Sequence, residues 1–192
     1  MTGPLIIVSG PSGVGKSTII QRLLADSPGP LRLSVSATTR PPRHSERDGV
    51  HYHFWTRERF AAGVAAGEFL EHAVVHGNDY GTLRSEVDPY RQQGIGVLLD
   101  IDVQGAEQVR PLVPDNVSVF LRAPSLEEYE RRLRKRATED EASIQRRLSA
   151  ARAELALAPT YSYQIINDDL DSATARLRAF VADQFARARH DG

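Results

Sequence analysis

The stretch Leu5-Ile6-Ile7-Val8-Ser9, followed by Gly10-Pro11-Ser12-Gly13-Val14-Gly15-Lys16-Ser17-Thr18, decides the fold. An unbroken apolar run of this length predicts a strand buried on both faces, and Lys16–Ala25 predicts the helix that follows it. The residues between fit the pattern G-x-x-x-x-G-K-[ST] in the strand-to-helix context that it requires. Glycines let the backbone curl so that successive N–H groups point inward, forming a nest for anionic oxygens at the positive end of a helix. Lys16 adds a mobile charge for β- and γ-phosphates, and the Ser17 hydroxyl can ligate Mg²⁺. Gly10 to Thr18 are therefore read as a P-loop that holds a nucleoside triphosphate. The loop alone does not say which reaction follows.

Outward from this loop, apolar runs alternate with helical patterns, the order expected of a parallel α/β sheet. Ile95–Ile101 (IGVLLDI) predicts a second buried strand, Val117–Leu121 a third and Gln164–Asn167 a fourth. Ser125 with Glu128 reads as a capping box opening a helix to about Lys135. Ile144, Leu148, Ala151, Leu155 and Ala158 form the stripe of a long amphipathic helix, ended by Pro159. Asp171 is expected to cap a last helix, with Leu177, Phe180, Val181 and Phe185 facing inward.

Residues from about Val35 to Tyr90 differ in texture, with most of the aromatics, all but one histidine and short candidate strands at Val50–Phe54 and Glu71–Val75. Pro41-Pro42, Asp48-Gly49 and Gly77-Asn78 are turn signals. This stretch is read as a small sub-domain inserted at the end of the sheet. His51 and His53 alternate on one candidate strand without an evident third metal ligand, and are read as surface or packing histidines.

Bulk properties narrow the class. The chain has 192 residues, 41% of them hydrophobic and 26% charged, as in an ordinary globular domain. A formal charge of −1 argues against a general nucleic-acid binder. The absence of cysteine excludes disulfides and thiolate-held metals, and fits a reducing cytoplasm. Leu5–Val8 is too short for a signal peptide, and no apolar run reaches the ~20 residues of a membrane span.

Seven segments in a fixed order, beyond GPSGVGKST, carry a resemblance to the guanylate kinase family: SVSATTRPPR (34–43), DGVHYHF (48–54), GEFLE (67–71), GNDYGT (77–82), LLDIDVQG (98–105), RRLRKRATEDEASIQRRLSAA (131–151) and INDDLD (166–171). The resemblance implies an α/β, P-loop NTPase fold: a parallel sheet core flanked by helices (1–34, 94–130 and 150–192), a small GMP-binding insertion (35–93) and a helical lid (131–149). It implies Mg²⁺-dependent transfer of the γ-phosphoryl group of ATP to GMP in the cytoplasm, with no nucleic-acid or membrane partner.

The resemblance also implies roles. Arg40, Arg43, Tyr52 and Tyr80 would hold the GMP phosphate, for which guanidinium forks and neutral phenols are suited. Guanine presents N1–H and N2–H₂ donors, so its reader needs carboxylates; Glu71 and Asp102 fit, with the Ser36 and Thr82 hydroxyls completing the set. Adenine would leave those carboxylates unpaired. Asp100 shares one side of the strand end with Asp102 and can serve Mg²⁺ through water, as a Walker-B acid does. Arg136 and Arg147 would close over the ATP phosphates as catalytic groups beside Lys16 and Arg40, with Arg132 on the ATP side and Asn167 at adenine. Arg131 to Arg136 would otherwise read as a solvated basic face, broken from Arg146 and Arg147 by the acidic Glu139, Asp140 and Glu141. The chain departs from the family at Lys135 and Ala137, where glycine is usual, at His51, and at Asp79, whose charge beside Tyr80 is expected to weaken acceptor binding. Another nucleoside monophosphate kinase, or a non-catalytic guanylate-kinase-like module binding phosphopeptides, are the competing readings.

Overall fold

The computed structural model describes residues 2–75, 77–135 and 141–190. The apolar run Leu5–Ser9 is strand β1, wholly buried, and Lys16–Ala25 is helix α1. Strand β2 (Leu31–Leu33) follows, and β7 (Gly96–Asp100), β8 (Val117–Arg122) and β9 (Tyr163–Ile166) complete a parallel sheet of order β2-β7-β1-β8-β9. Successive side chains point to opposite faces. Ile6 and Val8 thus pack with α1, α5 (Leu126–Lys135), α6 (Glu141–Leu157) and α7 (Leu170–His190), through Ile19, Leu133, Leu148 and Leu177 among others. Leu5 and Ile7 pack on the other face with Val87, with Val103, Ala106 and Val109 of α4 (Val103–Leu112), and with Tyr161. Both faces being covered, the central strands are apolar apart from Ser118 and the residues at their carboxyl ends, Ser9, Asp100 and Arg122.

A second sheet, of order β4-β3-β6-β5, is built from β3 (Ala37–Thr38), β4 (His53–Phe54), β5 (Phe69–Val75) and β6 (Asn78–Leu83). It has its own small core of Ala37, Phe60, Phe69 and Leu83, with Trp55 against it. Helix α2 (Arg57–Ala65) covers it, capped by Thr56, whose hydroxyl accepts from Arg59 N at 3.1 Å. A short helix α3 (Asp88–Gln92) leads back to β7. At this junction the Glu86 carboxylate accepts from Arg32 Nη2 (2.6 Å) and faces His53 Nε2 (3.2 Å), tying an edge strand of the large sheet to the small one.

Several expected elements differ in detail. Val50 is exposed and only His53–Phe54 pair as a strand, because Asp48-Gly49 turns the chain and Asp48 bridges Tyr52. Asp169, not Asp171, caps α7: its carboxylate accepts from Ser172 N at 2.8 Å, while Asp171 sits in the first turn and pairs with Arg22. Ser125 accepts from Glu128 N (3.2 Å), but the Glu128 carboxylate turns to Arg131 and Arg132 instead of closing the box. Helix α6 stops at Leu157, and Pro159 lies in the single 3-10 turn that follows.

Candidate functional site

At the carboxyl end of β1 the chain turns through Gly10, Gly13 and Gly15, all with positive φ. A Cβ on Gly10 would lie 2.2 Å from the Leu121 carbonyl oxygen, so the loop can approach β8 only without one. Two side chains brace the loop from below: the Tyr129 hydroxyl donates to Ser12 O (2.7 Å), and the Asn167 amide donates to Val14 O (2.6 Å). Asn167 is itself buried, and Arg132 Nη2 donates to its carbonyl oxygen at 2.8 Å. The residue expected at adenine thus bonds the loop directly, and Arg132 reaches it only through the Asn167 main-chain carbonyl. Lys16 opens α1 and its ammonium pairs with Asp100 Oδ1 at the end of β7. Ser17 and Thr18 are exposed in the first turn of α1, and Pro11 and Val14 are buried in the loop. Ser9, at the end of β1, approaches the Tyr161 hydroxyl closely enough to oppose the upward push of burial on that phenol, yet neither completes a hydrogen bond.

Across from this loop stands the small sheet. Arg40 leaves β3 and lies 5.5 Å from the Tyr52 ring centroid, with Tyr80 edge-on to Tyr52 at 5.9 Å. Burial pushes the Tyr52 phenol up, and the nearby Asp100 carboxylate adds to it. The Tyr52 phenol, just before β4, therefore lies within electrostatic reach of Asp100 at the end of β7. The fork of Arg40 is filled by Glu46: both guanidinium nitrogens meet its two carboxylate oxygens at 2.9 Å, and Arg43 N donates to Oε2 at 2.7 Å. These contacts hold the Glu46 carboxyl at about 2. Glu46 thus presents two oxygens where an acceptor phosphate would present its own, and no motif in the sequence singled it out. The Arg43 side chain is exposed.

Glu71 on β5 is buried, and its Oε1 accepts from the Thr82 hydroxyl of β6 at 2.6 Å. Burial raises its carboxyl to about 7; the Thr82 hydroxyl opposes that push and the Asp102 charge adds to it. Asp102 is the N-cap of α4, its Oδ1 accepting from Gly105 N at 2.9 Å and its Oδ2 from Gln104 Nε2 at 3.1 Å. Ser36 precedes β3, half-buried. Beside the loop on the parallel sheet, the chain thus carries a second set of groups on or next to the small sheet: a guanidinium, two phenols and a buried carboxylate.

The guanylate kinase family model matches residues 2–184. The chain belongs to the guanylate kinase family. It is 50% identical to the guanylate kinase of Symbiobacterium thermophilum over 190 residues, covering 99% of this chain and 90% of that protein. The guanylate kinase of Alkalilimnicola ehrlichii is 47% identical over 192 residues, covering 100% of this chain and 94% of that protein. Among solved structures, the guanylate kinase of Anaplasma phagocytophilum aligns with a TM-score of 0.79 at 34% identity, over 95% of this chain and 87% of that one. The α/β fold with its parallel sheet and flanking helices is that of these guanylate kinases.

Two of the chain's departures from the family, Asp79 and His51, have defined partners. Asp79 does not stand beside Tyr80 in space: on β6 they face opposite sides, and the Asp79 carboxylate accepts from the Thr39 hydroxyl at 3.1 Å. The Asp79 charge is thus turned away from Tyr80 and onto Thr39, the neighbour of Arg40. His51 and His53 also part company, Nδ1 of His51 accepting from Arg47 N (3.0 Å) while His53 meets Glu86. Arg147 is half-buried on α6, and Arg136, with Ala137, Glu139 and Asp140, lies outside the described residues, as does the side chain of Lys135. Ser17 and Asp100 offer hard oxygen donors from adjacent elements, a set that suits Mg²⁺, which takes few protein ligands and completes its shell with phosphate and water. No helix among the described residues is long and apolar enough to cross a membrane.

Proposed function

We propose that the chain transfers the γ-phosphoryl group of ATP to GMP, giving ADP and GDP. The observation that carries this reading is the buried Glu71 carboxylate in the field of Asp102, in a chain that keeps an intact Gly10–Thr18 loop with its Lys16. Residues 35–93 form the acceptor-binding unit, 131–149 the lid, and the remainder the core. Within the acceptor unit, Arg40, Arg43, Tyr52 and Tyr80 bind the GMP phosphate, while Glu71, Asp102, Ser36 and Thr82 read the base. The loop amides and Lys16 bind the ATP phosphates, with Arg132 on the ATP side and Asn167 at adenine, both also joined to the loop's support through the Asn167 bond to Val14.

The attacking atom is a GMP phosphate oxygen, already anionic near neutral pH because a phosphomonoester has its second pKa at about 6. No general base is required. Catalysis is then alignment and charge stabilisation along an in-line path. Lys16 neutralises the transferring group from the donor side and Arg40 from the acceptor side. Arg136 and Arg147 close over the phosphates and exclude water that would hydrolyse ATP. Ser17 and, through water, Asp100 would hold Mg²⁺, which supplies Lewis-acid screening of the phosphate oxygens. For GMP to reach Arg40, its phosphate must share or displace the Glu46 carboxylate. With ATP and GMP as its substrates, the enzyme acts in the cytoplasm, in purine nucleotide recycling.

The test is a coupled assay of ADP release with GMP, AMP, UMP and CMP as acceptors. GMP is expected to be preferred over AMP by ~10⁴-fold, the discrimination of a site built around donors that adenine lacks. Equal rates with AMP, or no turnover with GMP, would overturn the assignment.

A further inference from the structure

Gly105 is buried in the first turn of α4, where glycine is a poorer helix former than alanine. Its φ is not in the left-handed region, so backbone freedom does not explain it. Space does. A Cβ built on Gly105 would stand 2.6 Å from Glu71 Oε2 and 3.0 Å from Glu71 Cδ, with Ile101 Cβ at an ordinary 3.4 Å. Other glycines in regular elements meet something different: Gly96 and Gly81 make room for the rings of Phe185 and Phe69. The Glu71 carboxyl is thus held from two sides, by the Thr82 hydroxyl on Oε1 and by the bare Cα of Gly105 beside Oε2.

We propose that Gly105 is a specificity-determining residue of the acceptor pocket, its missing side chain being the seat of the Glu71 carboxylate. A methyl group there meets the far end of a flexible side chain, not backbone. The cheapest response is for Glu71 to swing away while α4 stays in place. The Gly105 N–H continues to cap through Asp102, so the helix loses nothing and gains propensity. Gly105 therefore touches no substrate atom; it positions the group that reads the base. This deepens the proposed function, because it rests on Glu71 as the guanine contact.

The experiment compares Gly105→Ala, Glu71→Gln and the double variant with GMP and with IMP, which lacks the 2-amino group, alongside thermal melts. Gly105→Ala is expected to melt at or above the wild-type temperature and to lose about 10- to 150-fold in kcat/KM for GMP, the range for a lost charge-assisted hydrogen bond. The loss should lie mostly in KM and be smaller with IMP, lowering the GMP-to-IMP ratio. The double variant should be scarcely worse than Glu71→Gln, since both changes remove one interaction. If Glu71→Gln is costly but Gly105→Ala stays within about twofold of wild type on GMP, the Gly105 inference fails and the Glu71 reading stands. If Glu71→Gln is harmless, the reading of Glu71 fails and takes the inference with it. A lowered melting temperature for Gly105→Ala, or losses that add in the double variant, would mean that the helix gives way instead of the carboxylate, and would also overturn it.

Discussion

Burial pushes the Glu71 carboxyl up to about 7, so near neutrality the free protein holds a large fraction of this group protonated. Guanine offers donors and needs the ionised form. GMP binding is therefore expected to release a proton, with affinity rising to a plateau above about pH 8 and falling by up to tenfold per unit below about pH 6. The GMP phosphate adds a step of the same sign near 6. Glu71→Gln separates the two, because only the phosphate step survives in it. Calorimetry in buffers of different ionisation enthalpy counts the protons; equal counts for wild type and variant would show that Glu71 does not ionise on binding. The free protein runs the other way. A carboxyl raised in the folded state stabilises the fold below its ordinary 4.5, and that contribution is lost as pH rises through about 7. Nothing in the sequence pattern around Glu71 marks it as buried, since it sits at the start of an alternating strand; its reading came through the resemblance. Glu46 was illegible altogether, because its importance lies in a contact with Arg40 formed only by the turn between them.

Asp102 shows how an element sets the chemistry of a residue beyond itself. It caps α4 through Gly105 N and adds its charge to the forces that hold the Glu71 carboxyl up. The two roles separate by substitution. Asp102→Asn keeps the cap and should leave the melting temperature nearly unchanged, while lowering the pH at which GMP affinity reaches its plateau. Asp102→Ala loses the cap and should cost about 1 kcal/mol, or about 2–4 °C in a chain of this size. A melt of both variants, with a pH titration of GMP binding, checks this; equal destabilisation by Asn and Ala would remove the cap from the account. Strands buried on both faces, β1 and β7 above all, were legible because unbroken apolar runs have few other uses. The edge strand β2 was not: Leu31-Arg32-Leu33 is three residues long and half-buried behind Pro-Gly-Pro. Helix α2 also passed unnoticed, since its apolar face covers only the small core around Phe60 and Phe69. At α7, Asp169 and Asp171 both precede the apolar stripe, and spacing alone could not choose between them.

At the scale of the molecule, the groups proposed for donor and acceptor fall mostly on different sheets, with Asp102, just past β7, the acceptor group on the parallel one. The phosphate loop and Lys16 stand on the parallel sheet, whereas Arg40, Tyr52, Glu71, Tyr80 and Thr82 stand on or beside the mixed one, joined to it near Glu86. Damage on one side should therefore leave binding on the other. Arg147→Ala on α6 is expected to lower kcat by at least ~10²-fold with little change in GMP affinity, as for a contact made mainly in the transition state; loss of GMP affinity with retained turnover would place Arg147 on the acceptor instead. Lys16→Ala makes the sharper case. Its ammonium pairs with Asp100, and among the described residues no hydrogen bond or ion pair joins it to the groups assigned to GMP. Removing it strips a full charge from the transferring group, and kcat should fall ~10²-fold or more, the worth of a preorganised electrostatic contact. GMP affinity by calorimetry should stay within about twofold, because additivity holds between sites with no shared partner. The one route for leakage is Asp100, which loses its counter-charge and lies in the field of Tyr52. Lys16→Arg tests that route, since it keeps the charge beside Asp100 but not the ammonium's fit in the loop. If GMP affinity falls in Lys16→Ala and returns in Lys16→Arg while turnover stays lost, the two sites are coupled through the charge of Asp100 acting on Tyr52 and are not independent.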